Sequence, residues 1–148
     1  MVSAAINHTF RTDLVIINGN LNAQRYVNEM LTPVVLPLFH QRHGLTFQHD
    51  NARPHVARLT RNFLNANNIN VLQWPAASPD CNPIEHMWDI LGRRLSRRQP
   101  QPRNVQELTV ALREEWARIP RYMLRNLCGS MARRLRAVIQ SQGGHTRY

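Results

Sequence analysis

The chain has 148 residues, of which 43% are hydrophobic and 19% charged, and this length suffices for one domain with a single core. Its apolar stretches are short and interrupted by polar residues, which excludes a bilayer-spanning segment. All 19 basic residues are arginines, against 9 acidic residues, and the net charge of +10 favours a polyanionic partner, although an ordinary solvated basic surface has the same composition. The start of the chain lacks the basic and apolar regions of a signal peptide, and Cys81 and Cys128 fit neither zinc nor disulfide spacing. We therefore expect an intracellular, reduced protein without a membrane partner.

The predicted elements alternate between strands and helices along the chain. Short apolar or alternating runs beside turn residues predict the strands, and apolar side chains at steps of three and four predict the helices. The strands are predicted over residues 13–18, 45–50 and 69–74, and the helices over residues 23–38, 54–66, 83–95, 104–118 and from 120 to the Gly143-Gly144 pair. Pro33 should kink or end the first helix. This order favours an α/β sheet with crossover connections.

Two of the predicted helices carry further signals. Asn104, with Glu107 three residues later, is typical of a capping box at the start of the fourth helix. Apolar spacing predicts a buried face for the second helix, made of Val56, Leu59, Phe63 and Leu64.

Acidic side chains follow two of the predicted strands. Asp50 ends the second strand, and Glu85 lies one helical turn into the helix after the third strand. Functional groups of α/β sheets gather beyond the carboxyl ends of strands. Carboxylates there suit Mg²⁺, which prefers oxygen ligands, and two such ions about 3.5–4 Å apart support phosphodiester chemistry. Simpler interpretations remain open, because Asp50 with Asn51 can be a turn and Glu85 can complete a capping box that opens at Asn82.

The other polar and aromatic side chains near these carboxylates have ordinary structural interpretations. Asp80 is expected to form a turn, and Asp89 to face solvent. The histidines of this region are scattered in sequence without a cysteine at zinc spacing, which disfavours a zinc site; they are His49, His55 and His86. Trp74 and Trp88 are more typical of a core than of base stacking.

Two longer strings are more specific than any single residue. Residues 47–55 read FQHDNARPH, and residues 74–88 run from a Trp-Pro pair to SPDCNPIEHMW. They resemble the segments around the second aspartate and the glutamate of Tc/mariner transposases, and the 34 residues between Asp50 and Glu85 match the spacing of the Tc branch. The resemblance covers nearly the whole chain from about Arg11 to the final GGHTRY.

The resemblance implies an α/β fold of the ribonuclease-H type, incomplete here, with a mixed sheet, flanking helices and further C-terminal helices. It places a truncated catalytic core that lacks its first strands at residues 1–98, and a helical extension of the same domain at residues 99–148. In the family an Asp-Asp-Glu triad holds Mg²⁺ or Mn²⁺, cuts DNA by hydrolysis, and joins the freed 3′ hydroxyl to target DNA. Asp50 and Glu85 match the second and third members, as catalytic and metal-binding residues. The implied partners are DNA and further transposase copies in the nucleus, with no small-molecule substrate.

The resemblance also predicts what this sequence lacks. The family's first aspartate lies upstream of every residue here, since Met1 falls about where the third strand runs, and Asp13 matches a variable position. The strand that ends at Asp50 would then miss the central strand with which the family pairs it, and the paired helix-turn-helix region that reads the element ends is missing too. We therefore expect a transposase fragment that is inactive as an isolated chain. The alternative is a host-recruited, non-catalytic module that binds DNA or a protein.

Overall fold

A computed structural model describes residues 1–75 and 78–142, apart from the side chain of Asp80. The chain divides into two compact units: the first is Met1–Ser3 with Val15–Ala77, and the second is Ala4–Leu14 with Ser78–Tyr148. No helix within the described ranges is both long and apolar enough to cross a membrane.

Helices dominate both units. The strands are β1 (Val2–Ser3) and β2 (Val15–Ile16), and the helices are α1 (Ala23–Tyr26), α2 (Leu36–Gln41), α3 (Arg53–Val56), α4 (Arg58–Ala66), α5 (Pro83–Ser96), α6 (Val105–Ala117), α7 (Arg121–Gly129) and α8 (Met131–Gln140). A π-helix, Val27–Val35, joins α1 to α2, and a 3₁₀ turn, Pro79–Cys81, precedes α5.

The first unit contains one antiparallel strand pair. In this pair Val2 lies opposite Ile16 and Ser3 opposite Val15. The strand predicted over residues 13–18 is therefore confirmed at its centre, whereas its partner β1 was not predicted.

The strands predicted over residues 45–50 and 69–74 are wrong as extended elements. They meet in a single parallel bridge between Phe47 and Val71. The Phe47 N–H donates to the Asn70 carbonyl, and the Phe47 carbonyl accepts from the Leu72 N–H, both at 2.8 Å. These two hydrogen bonds pair only the residues next to the bridge. A longer pairing would need more strands, because sheet stability grows with the number of paired strands.

The first predicted helix is one continuous helical segment over residues 23–41, and its middle part is π-helical. Pro33 does not end it. A π turn pairs each N–H with the carbonyl five residues back, as Leu36 does with Leu31. This wider turn accommodates Pro33, which has no N–H to donate.

The predicted apolar stripe of this segment is confirmed as the core of the first unit. Its buried members are Tyr26, Val27, Met30, Leu31 and Val35, which pack with Ile17, Leu64 and Ile69. Phe47 packs against the same cluster, so the core fixes the backbone that leads to Asp50.

The second predicted helix breaks at Ala57, where an extended ψ of 148° separates α3 from α4. The fully buried Thr60 donates its hydroxyl to the Pro54 carbonyl at 2.6 Å and so bridges the break. The break also changes the buried face: Thr60 and Leu64 point inward, whereas Leu59 is 42% exposed, contrary to the prediction.

Asparagine side chains start both long helices of the second unit. The Asn82 side chain accepts from the Ile84 N–H at 3.3 Å at the start of α5. At the start of α6, Asn104 accepts from the Glu107 N–H at 2.8 Å and donates to the Glu107 carboxylate at 3.1 Å. The predicted cap of α6 is therefore confirmed.

The core of the second unit lies between α5, α6 and α7. Trp88 and Trp116 stack with ring centroids 5.3 Å apart, which confirms a packing role for Trp88. Met87 of α5 and Leu124 of α7 are almost completely buried in the same unit.

The single final helix that was predicted is two helices, α7 and α8, separated at Ser130. Gly129 is a poor helix former, and the Ser130 hydroxyl donates to the Leu127 carbonyl at 2.7 Å, which competes with helix continuation. The predicted end at Gly143-Gly144 lies outside the described residues.

Candidate active site

Asp50 lies in the first unit, three residues after the bridge at Phe47 and just before α3. Its Oδ1 accepts the Ala52 N–H at 3.0 Å and a hydrogen bond from His55 Nδ1 at 2.6 Å. The first of these bonds is an Asx turn, so the turn interpretation of this segment is correct. Its side chain is 56% exposed, and among the described residues no group donates to Oδ2, which is therefore available for a ligand.

Rings from three residues stack beside Asp50. The imidazoles of His49 and His55 are nearly parallel with centroids 5.1 Å apart, and the Tyr26 ring lies 4.2 Å from His55. The Tyr26 hydroxyl is 3.2 Å from His49 Nδ1. His49 and His55 therefore lie together beside Asp50, whereas His86 belongs to the second unit. The signal for the role of His55 was its position five residues after Asp50, in a helix that begins at Arg53 with Pro54 in its second position.

The electrostatics of this cluster keep Asp50 ionised. Partial burial alone would raise the pKa of the carboxyl group, but the Ala52 N–H and the positive charge and hydrogen bond of His55 outweigh burial and lower the pKa of Asp50. Burial, reinforced by His55, lowers the pKa of His49 to about 4, so that its ring is neutral at physiological pH. An ionised, half-exposed carboxylate with an open oxygen fits a hard divalent cation.

Glu85 lies in the second unit, in the exposed first turn of α5. The Asn82 amide donates to its Oε1 at 3.4 Å, while the Asn82 N–H donates to the Pro79 carbonyl at 2.8 Å. Asn82 therefore both caps the helix and orients the carboxylate. The positive end of the helix dipole favours the ionised form of a carboxylate in this turn, which suits a metal ligand.

The remaining predicted acidic residues have structural positions. The backbone of Asp80 lies within the 3₁₀ turn, as expected of a turn former. The Asp89 side chain is 66% exposed and 3.5 Å from Arg93, which confirms that it faces solvent. No group of three or more His, Cys, Asp or Glu in the described parts of the chain is arranged to hold a metal, so the candidate ligands are Asp50 in one unit and Glu85 in the other.

Comparison with known proteins connects these carboxylates to a family. The family described as DDE superfamily endonuclease matches residues 1–109, a range that contains both Asp50 and Glu85. The chain belongs to this family. Among its relatives it is 34% identical over 149 residues to the Tc3 transposase of Caenorhabditis elegans, with alignment over 100% of this chain and 45% of the relative. It is 39% identical over 102 residues to the Tcb1 transposase of Caenorhabditis briggsae, over 69% of this chain and 37% of the relative.

The DDE superfamily chain thus spans less than half the length of these relatives. In three dimensions it is similar to the Mos1 transposase catalytic domain in a structure with raltegravir and Mg, with a TM-score of 0.82 and 23% identity over 99% of this chain and 76% of that chain. A crystal structure of the same domain from the Mos1 mariner transposase gives a TM-score of 0.81 at 22% identity, over 99% of this chain and 75% of that chain. The Tc/mariner resemblance and the mixed α/β, ribonuclease-H-like fold are confirmed.

Proposed function

We propose that this chain is part of a transposase in which Asp50 and Glu85 are catalytic residues that hold Mg²⁺ or Mn²⁺ and act on the phosphodiester bonds of DNA. The observation that carries the proposal is the state of Asp50: an ionised carboxylate with one oxygen fixed and the other open, inside a segment that the family match includes. Structures of the Mos1 catalytic domain with Mg and with Mn support the choice of cation.

The neighbours of the two carboxylates provide orientation. His55 and the Ala52 N–H hold Oδ1 of Asp50, which leaves Oδ2 for a cation. Asn82 holds Oε1 of Glu85 at the start of a 14-residue helix, so this carboxylate has a rigid support. Divalent ions bound by such carboxylates activate the attacking oxygen of a phosphodiester reaction and stabilise the leaving one.

The test measures the affinity of the 148-residue chain for Mn²⁺. Binding is monitored as the loss of the paramagnetic resonance signal of unbound Mn²⁺. We expect Asp50→Asn and Glu85→Gln each to weaken binding by roughly tenfold or more, since each removes a charged oxygen ligand. Asp89→Asn is the matched control, because Asp89 lies one turn after Glu85 on α5 and faces solvent. Equal affinities for all four proteins would overturn the assignment.

The same proposal includes the partners and the place of action. Mos1 transposase forms a paired end complex and a strand transfer complex, and these assemblies support DNA binding and association of several copies as proposals for this chain. Because the substrate is DNA, we place the chain's action in the nucleus. The basic composition supports a DNA partner as well.

A further inference from the structure

An open pocket of about 480 Å³ in the second unit is lined by three arginines. Arg11 comes from the loop Ala4–Leu14, Arg113 from α6, and Arg121 from the first position of α7. The pocket lies outside the segments that carry Asp50 and Glu85, and neither residue lines it.

Arg11 is held in place without a carboxylate. Its guanidinium donates to the carbonyls of Ala117 and Ile119 at the end of α6, and it lies 5.7 Å from the centroid of the Trp116 ring. The Trp116 indole N–H donates to the Thr12 carbonyl at 2.9 Å, which ties the loop to the helix. Arg11 therefore brings a positive charge that backbone dipoles orient but do not neutralise.

Arg113 and Arg121 are exposed, and in the described part of the chain neither forms an ion pair or a side-chain hydrogen bond. Asp13 is the acidic residue that lines the pocket, and no arginine lies within salt-bridge distance of it among the described residues. Burial, and then the nearby charge of Arg121, lower the pKa of Arg11, as expected where positive charges lie close together.

The other face of α6 shows the opposite arrangement. There Glu114 and Glu115 neutralise three arginines, which are Arg94, Arg98 and Arg118. The second unit thus pairs its arginines where they fix helices together and leaves them unpaired around the pocket. Three guanidinium groups near one another, against the single unpaired carboxylate of Asp13, repel each other, and an incoming anion would relieve that repulsion.

We propose that Arg11, Arg113 and Arg121 form a binding site for a phosphate group of the DNA backbone. Guanidinium groups match phosphate oxygens through paired N–H donors, and the pocket is open enough to admit one phosphate of a continuous strand. The start of α7 has no side-chain cap, so its first N–H groups and its dipole add to the attraction. The choice of DNA as the source of the phosphate rests on the proposed function, whereas anion binding as such does not.

The test is the binding of a fluorescently labelled 25-base-pair duplex to the 148-residue chain, measured by anisotropy at several salt concentrations. The variant carries Arg113→Gln with Arg121→Gln. The control carries Arg97→Gln with Arg136→Gln, which removes the same charge from exposed arginines of the second unit that do not line the pocket. Circular dichroism establishes that both variants keep the helix content of the parent.

We expect the pocket variant to bind the duplex at least tenfold more weakly and to reduce the slope of log affinity against log salt by about 0.9, as the loss of one phosphate contact requires. The control should change affinity less than threefold. Equal effects of both variants would overturn the proposal, because the arginines would then act only through net charge. Failure of the parent to bind the duplex would overturn it as well.

Inorganic phosphate, titrated by calorimetry, separates the two sources of the ligand. Binding of inorganic phosphate that the pocket variant loses, with unchanged duplex affinity, would mean a site for free phosphate and not for DNA. Mn²⁺ affinity should be the same in the pocket variant and the parent. The metal assignment at Asp50 and Glu85 can therefore fail while the pocket is supported, and the reverse can also occur.

Discussion

Replacement of Glu115 by Gln should destabilise the second unit more than any other single charge removal in the described part of the chain. The Glu115 side chain is 9% exposed and lies within 3.2 Å of Arg94, Arg98 and Arg118, so three donors converge on one carboxylate. Breaking a fully buried ion pair costs about 3–5 kcal/mol. Because these arginines are 27–60% exposed and can be rehydrated, we expect a smaller loss of about 1–3 kcal/mol in the free energy of unfolding.

The assay is urea unfolding followed by circular dichroism, with Asp89→Asn as the control. Asp89 forms an exposed pair with Arg93 at 3.5 Å, and its loss should cost at most about 0.5 kcal/mol. Similar losses for both variants would refute the idea that the Glu115 cluster, and not charge in general, holds α5 and α6 together.

The pH dependence of the free energy of unfolding tests the same prediction independently. Burial alone would raise the pKa of Glu115, but hydrogen bonds from Arg94 and Arg118 outweigh it and lower the pKa below the ordinary value of 4.5. A lowered pKa adds stability above pH 4.5 that is lost as the pH falls through the folded-state value. The stability gap between the parent and Glu115→Gln should therefore narrow below about pH 4.5, and a gap that stays constant would contradict the reasoning.

Two further outcomes are expected. Thr60→Val removes the hydroxyl that donates to the Pro54 carbonyl inside the first unit and should cost about 1–2 kcal/mol in urea unfolding, whereas Thr9→Val, at an exposed hydroxyl, should be nearly neutral. The 148-residue chain should not nick supercoiled plasmid with Mn²⁺, because the family's chemistry uses three carboxylates; nicking that disappears in Glu85→Gln would contradict this expectation.

Sequence patterns predicted the elements whose stability is local or depends on one apolar face. The stripe over residues 23–38 is the core of the first unit, and the Asn104 side chain accepts the Glu107 N–H as predicted for a helix cap. Both follow from spacing along a single helix, because a helical period puts every third or fourth side chain on one face and a cap involves only the next few residues.

The predictions that failed depend on partners or on small energy differences. The run over residues 45–50 has strand composition, but pairing decides whether it becomes a strand, and here it pairs through one bridge. At the breaks at Ala57 and Ser130 a nearby side-chain hydroxyl donates to a backbone carbonyl, and such a hydrogen bond contributes only about 1 kcal/mol. Such a balance is not visible in apolar periodicity.

The candidate carboxylates could be found from sequence because each is oriented by residues within five positions of itself. Asp50 is held by Ala52 and His55, and Glu85 by Asn82. A short sequence motif can therefore specify the direction of each carboxylate oxygen even where the surrounding sheet is reduced to a bridge.

A short motif cannot specify the set of arginines around the pocket of the second unit. Arg11, Arg113 and Arg121 meet only after the loop folds back onto α6 and α7. Local motifs thus locate the candidate carboxylates, and tertiary packing decides where the arginines of the second unit gather.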